Sequence, residues 1–236
     1  MSDIVANTIG ECWLKSISEV MRNGKQHFDE DVEIMEVLGL SIKILSPKLQ
    51  DEIVDKFGDK NIVSHTLDKF KKGIIMPNRP FTYADQIYNK NGIDQFEYLV
   101  GRLKKKKESK SATISLLSEG ITDANLPCLN IIDIKIRNEK LNLQFFFRSQ
   151  NILGRQYANL LAIAKLQADL ATRLCTKVGF IAGYVASAHI YEYDYKYANS
   201  ICANEDVTIK DRFYINGPRS IRENLQFQEK NNVYKK

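Results

Sequence analysis

The chain is poor in chain breakers, with 5 prolines and 12 glycines among 236 residues. So little of either excludes collagen-like and Pro/Gly-rich low-complexity chains. Histidine is scarce as well, limited to His27, His65 and His189. The four cysteines, Cys12, Cys128, Cys175 and Cys202, include no CxxC pair. Scattered ligands of this kind exclude the usual zinc spacings and a disulfide scaffold, so no metal is expected. No apolar run approaches the roughly 18 residues that span a bilayer, and no membrane association is expected. The opening stretch MSDIVANTIGECWLK lacks the basic start and apolar core of a secretory signal. A cytoplasmic address is the expectation, with the thiols reduced.

What is present suits a folded chain. Hydrophobic residues make up 44% and charged residues 27%, enough for both a core and a solvated surface. Lys and Arg exceed Asp and Glu by 34 to 29, a net charge of +5. So modest an excess fits an anionic small molecule at least as well as nucleic acid. The densest basic run, Lys104 to Lys107, has no interleaved aromatics to stack bases. It reads as a solvated helix end or loop, and nucleic acid is not an expected partner.

Periodicity predicts a single α/β or α+β domain over residues 1–236. Residues 2–22 read as a helix through Ile9, Trp13, Ile17, Val20 and Met21. Residues 32–45 alternate and are β-branched, which predicts a strand or hairpin ended by Pro47. Short helices are expected over 48–72 and a loop at Pro77 and Pro80. A helix over 82–103 is interrupted near Asn91-Gly92, with a core stripe of Ile93, Phe96, Leu99, Val100 and Leu103. Residues 111–117 read as a strand. The runs 129–136 and 141–147 read as a hairpin turning at Arg137-Asn138-Glu139-Lys140. A helix is expected at 159–175 and a strand at 178–191, with a loose tail over 220–236.

Chemistry gathers around that hairpin. Cys128 follows Pro127 at its head, and Arg148-Ser149 close its second strand twenty residues later. Paired strands bring those ends together, and a guanidinium beside a thiol favours the nucleophilic thiolate. By itself a cysteine before a strand is more often an inert buried thiol, and a lone arginine at a strand end more often a surface residue.

The surrounding pattern is more specific. Leu126-Pro127-Cys128 is followed by Phe147-Arg148-Ser149, then Gly154, Asn159, a long helix from 160, and Ala188-His189-Ile190-Tyr191. Over residues 81–191 this order and spacing resembles the thymidylate synthases and the pyrimidine nucleotide hydroxymethylases. Upstream, Tyr83, Ile87, Asp94-Gln95, Tyr98 and Leu103 fit the same family's helix, while residues 1–80 are divergent.

The resemblance implies a thymidylate synthase-like α+β fold: a mixed β-sheet with flanking helices and a homodimer formed sheet to sheet. It implies one-carbon transfer to C5 of dUMP through a Cys thiolate adduct at C6, with 5,10-methylenetetrahydrofolate or a related pterin as carbon donor. Cys128 would be the nucleophile. Arg148 and Ser149 would hold the nucleotide phosphate, and Lys110 of a second copy would replace the family's paired arginines. Asn159 would read uracil, where cytosine-specific relatives carry Asp. His189 and Tyr191 would bind the sugar 3′-hydroxyl. Asn151 stands where the family Asp contacts the pterin, and Glu52 is the nearest match to the family's catalytic Glu. The only tryptophan, Trp13, does not match the family's tryptophan over the folate. The alternatives are a C5 hydroxymethylase acting on dUMP or dCMP, and a non-catalytic nucleotide binder.

Overall fold

A computed structural model describes residues 2–74, 82–117 and 126–203. The loop predicted at Pro77 and Pro80 and the tail over 220–236 lie outside the described residues.

The strands form one mixed seven-stranded sheet in the order β1-β3-β7-β6-β5-β4, with β2 also paired to β3. Its centre is made by β3 (Val32–Ile44), β6 (Lys140–Asn151) and β7 (Lys177–Tyr191). The predicted hairpin is β5 (Leu129–Arg137) joined to β6. Its two turn residues, Asn138 and Glu139, both take positive φ, 51° and 60°. Two left-handed residues in a two-residue turn match the twist of the flanking strands. The edge strand β4 is Thr113–Ser115.

Two strands were not legible in the sequence. Residues Ser2–Ala6 form β1, so the first helix, α1, spans only Ile9–Asn23 and is capped by Thr8. β1 runs parallel to β3 from Ser2↔Leu40 to Ala6↔Ile44. A five-residue strand is too short for its pattern to compete with the helix beside it; the edge of β3 decides it. Lys25–Asp29 form β2, antiparallel to β3. Every residue of β2 is exposed, so it carries no apolar alternation to read.

The short helices are α2 (Glu52–Phe57) and α3 (Lys60–Phe70), then α4 (Tyr83–Tyr88) and α5 (Gln95–Lys105). Phe96, Leu99, Val100 and Leu103 of α5 are buried, but Ile93 precedes the helix and is 61% exposed. The helix is broken by Asn91 and Gly92, both at positive φ. The lysines of the basic run end α5, and Lys107 pairs with Glu139 at 2.5 Å.

Between β6 and β7 runs the longest helix, α6 (Ile152–Arg173). It packs against α1, α3 and the sheet, and its side chains are buried on most of its circumference. This helix, expected from residue 159, starts instead at Ile152. Three contacts fix the earlier start. Asn151 Oδ1 accepts from Gly154 N at 2.8 Å, an N-cap worth about 1 kcal/mol. Trp13 Nε1 donates to Ile152 O at 3.0 Å. The Tyr157 ring lies 4.5 Å from that of Trp13, and its hydroxyl accepts from Asp59 N. Lower down, the buried Gln167 amide donates to Leu141 O at 2.8 Å and Phe180 O at 3.1 Å, tying α6 to both parallel strands. The chain closes with a short 3-10 turn at Glu192–Asp194 and α7 (Tyr195–Cys202).

The regular alternation of β3 breaks at one point. Leu38 and Leu40 are two apart and should share a face. Yet Leu40 is fully buried and Leu38 is 72% exposed. Gly39 between them has φ +79°, and a Cβ there would meet Tyr184 Oη at 2.9 Å. Opposite this break β7 passes from buried Val185 to half-buried Ser187.

Candidate active site

The head of β5 and the final residues of β6 and β7 lie at one end of the sheet. Cys128, half-buried, immediately precedes β5. Its carbonyl accepts from Arg148 N at 2.9 Å, the last rung between the two strands. The Arg148 guanidinium turns back on the same loop, Nη2 donating to Leu126 O at 2.7 Å and Nε to Pro127 O at 3.3 Å. Arg148 thereby clamps the backbone that presents the thiol. From the other side Tyr83 Oη accepts from Leu129 N at 3.3 Å.

Parallel pairing of β6 with β7 sets Ser149 beside Ser187 and Asn151 beside His189. Both serine hydroxyls lie 3.5 Å from His189 Nδ1. The His189 ring stands edge-on to Tyr191 with centroids 5.1 Å apart. Tyr191 Oη donates to Asp29 Oδ2 at 2.7 Å, and its ring stacks on Tyr193. Cys128, Arg148, Ser149, His189 and Tyr191 are thus brought to one place by three strands.

Burial dominates the electrostatics. It holds the His189 pKa below 6.5, with Asp29 and Glu36 pulling the other way. The imidazole is therefore neutral at pH 7. Burial, then the bond to Asp29, raises the Tyr191 phenol well above 10, and Cys128 adds to that rise. The thiol and the phenol are therefore within electrostatic reach of each other. Cys12 is the contrasting thiol: fully buried on α1, it is pushed up to about 12.

The other expected site residues stand on α6, ahead of β4 and on α2. Gly154 and Asn159 are helical residues of α6, not the end of a loop. Asn159 is half-buried and, among the described residues, makes no hydrogen bond to the cluster. Lys110 is exposed ahead of β4, and β4 antiparallel to β5 puts it toward the far end of the sheet from Cys128. Glu52 is exposed in the first turn of α2. Three residues of the cluster were not expected from the sequence: Asp29, Glu36 and Ser187. Ser187 shares the alternation of His189 and Tyr191, a signal that was present. The two acids arrive only through the β3–β7 register, in which Glu36 faces His189.

The pterin side fits poorly. Asn151 offers an amide in place of a carboxylate, and its oxygen already caps α6. Trp13 is sealed in the core. The residues present thus supply no acceptor for a folate pterin at position 151.

A family model described as "Thymidylate synthase" matches residues 14–228. The chain belongs to the thymidylate synthase family. Curated relatives named "Putative thymidylate synthase" agree over nearly their whole length. The protein from Methanosarcina mazei is 28% identical over 202 residues, 84% of this chain and 93% of its own. That from Methanothermobacter marburgensis is 26% identical over 219 residues, 86% and 98% of the two chains. That from Methanosarcina acetivorans is 29% identical over 206 residues, 84% and 93%. The stretch matched to the thymidylate synthase family runs from α1 through the whole cluster and leaves out β1.

Proposed function

We propose that this chain transfers a one-carbon group to C5 of a pyrimidine nucleotide, with dUMP as substrate and Cys128 as nucleophile. Aromatic C5 is a weak nucleophile. Thiolate addition at C6 forms an S–C6 bond, breaks the C5=C6 double bond and delivers its electron pair to C5 and the O4 enolate. C5 can then take up a one-carbon electrophile, and loss of its proton with expulsion of Cys128 restores the ring. The observation that carries this reading is the Arg148 clamp. One residue's backbone and guanidinium hold the Leu126–Cys128 loop, with Tyr191 and His189 close by.

In this reading Arg148 and Ser149 hold the phosphate. The planar, always-charged guanidinium suits an anion through its forked donors. His189 and Tyr191 bind the sugar. Asn159 reads the base, its amide offering a donor to O4 and an acceptor to N3–H of uracil. The poor fit at Asn151 leaves the carbon donor as a reduced pterin without the usual carboxylate contact. All described strands join one sheet, which supports one domain. Exposed Leu38, at 72%, with Ile131 at 41% and Val178 at 40%, supports a second copy covering the sheet. That copy would supply Lys110.

The test is release of tritium to water from dUMP tritiated at C5, with and without methylenetetrahydrofolate. Release that is lost in Cys128→Ser supports the covalent route. Binding of dUMP and dCMP without any release would leave a nucleotide binder instead. Tighter binding of dCMP than dUMP would overturn the assignment of Asn159. Mass analysis of the product separates methyl from hydroxymethyl transfer.

A further inference from the structure

Two carboxylates that no sequence signal marked stand behind the histidine and tyrosine of the site. Ser187 Oγ donates to Glu36 Oε1. With its only proton committed there, that oxygen can only accept from the His189 nitrogen 3.5 Å away. The neutral ring then carries its proton on Nδ1, and Nε2 is left as a lone-pair acceptor. Ser149 Oγ lies at the same 3.5 Å from Nδ1 and can accept too, which keeps its own proton for a phosphate oxygen. Asp29 does the equivalent for Tyr191. It accepts the phenol's hydrogen bond at 2.7 Å, which leaves the phenol oxygen as an acceptor toward any further partner.

From this arrangement we infer that Glu36 and Asp29 are positioning residues that fix the polarity of the sugar subsite. The subsite presents acceptors only, so it selects a nucleotide whose sugar carries a hydrogen-bond donor, a free 3′-hydroxyl. It rejects sugars with an acceptor in that place. The groups around His189 come from each packed strand: Asp29 from β2, Glu36 from β3, Ser149 and Asn151 from β6, Ser187 and Tyr191 from β7. None is a cation, so nothing among these described residues reverses the polarity. The choice of nucleotide rests on the function proposed above; the proton position does not.

The experiment therefore has two independent readouts. With three histidines in the chain, 15N-histidine NMR can report which nitrogen of His189 is protonated, assigned with His189→Gln. We expect Nδ1–H in the wild type and a shift to Nε2–H in Glu36→Leu, where the Ser187 hydroxyl loses its acceptor and is released to donate to Nδ1. Nε2–H in the wild type overturns the inference without any variant. For ligand choice, titration compares dUMP with its 3′-deoxy-3′-fluoro analogue, which has the size but no donor. The wild type should prefer dUMP by about tenfold or more, the effect of one hydrogen bond. Ser187→Ala and Glu36→Leu should each narrow that preference. An unchanged preference in both variants sinks the relay. If neither nucleotide binds the wild type, the functional reading fails, while the NMR result still judges the proton position.

Discussion

At the scale of single residues, burial sorts groups that composition treats alike. Cys12 and Cys128 are both thiols, yet Cys12 is wholly buried with its pKa pushed up to about 12. Native labelling with a disulfide reagent should leave Cys12 untouched and modify Cys128, and bound dUMP should slow the modification of Cys128. His189 makes a pH prediction. Its folded pKa lies below 6.5 because of burial. On acidification the unfolded chain takes up that proton first, so the group's contribution to stability is lost as pH falls below 6.5. The urea midpoint of the wild type should drop as pH falls from 6.5 through the lowered folded pKa, and His189→Gln should flatten the drop. That His189 and Tyr191 share a cluster with Cys128 was legible from the family resemblance. Their acid partners were not, because Asp29 and Glu36 belong to strands more than 150 residues away in sequence.

At the scale of elements, the start of α6 is the decisive feature. It fixes where β6 ends and where Asn151 and Asn159 sit. Trp13 donates to the first helical carbonyl and packs on Tyr157. Trp13→Phe should lose the hydrogen bond, at about 1 kcal/mol. Trp13→Ala should lose about 3–5 kcal/mol through the cavity as well. Thermal unfolding of the two variants checks the ranking. Gly39 is the second such feature. Its φ of +79° is costly for any side chain, and a Cβ would press on Tyr184. Gly39→Ala should destabilise by about 1 kcal/mol or more. The apolar face of α6 is legible in the sequence, but a loop pattern there points to a start near 159. A capping asparagine and a distant tryptophan moved that start, and neither is visible in the helix's own periodicity.

At the scale of the whole molecule, one sheet surface retains apolar side chains in water. Leu38 is 72% exposed, and Phe146 stacks on Tyr184 near it across β6 and β7. A patch of this kind is a candidate for association. Sedimentation should report a dimer, and Leu38→Lys should shift it toward monomer. If the partner supplies Lys110 to the phosphate, the monomeric variant should also bind dUMP more weakly. Loss of the dimer with unchanged dUMP affinity would remove Lys110 from the site.

The sequence by itself determined the hairpin, the long helix, the last strand and the order Cys128, Arg148, Ser149, His189, Tyr191. Those are local patterns and fixed spacings, which the chain carries in its own periodicity. The tertiary structure alone decided β1 and β2, the first turns of α6 and the two carboxylates behind His189 and Tyr191. Each of these depends on a partner strand or a distant side chain, and pairing between remote segments leaves no period in either one.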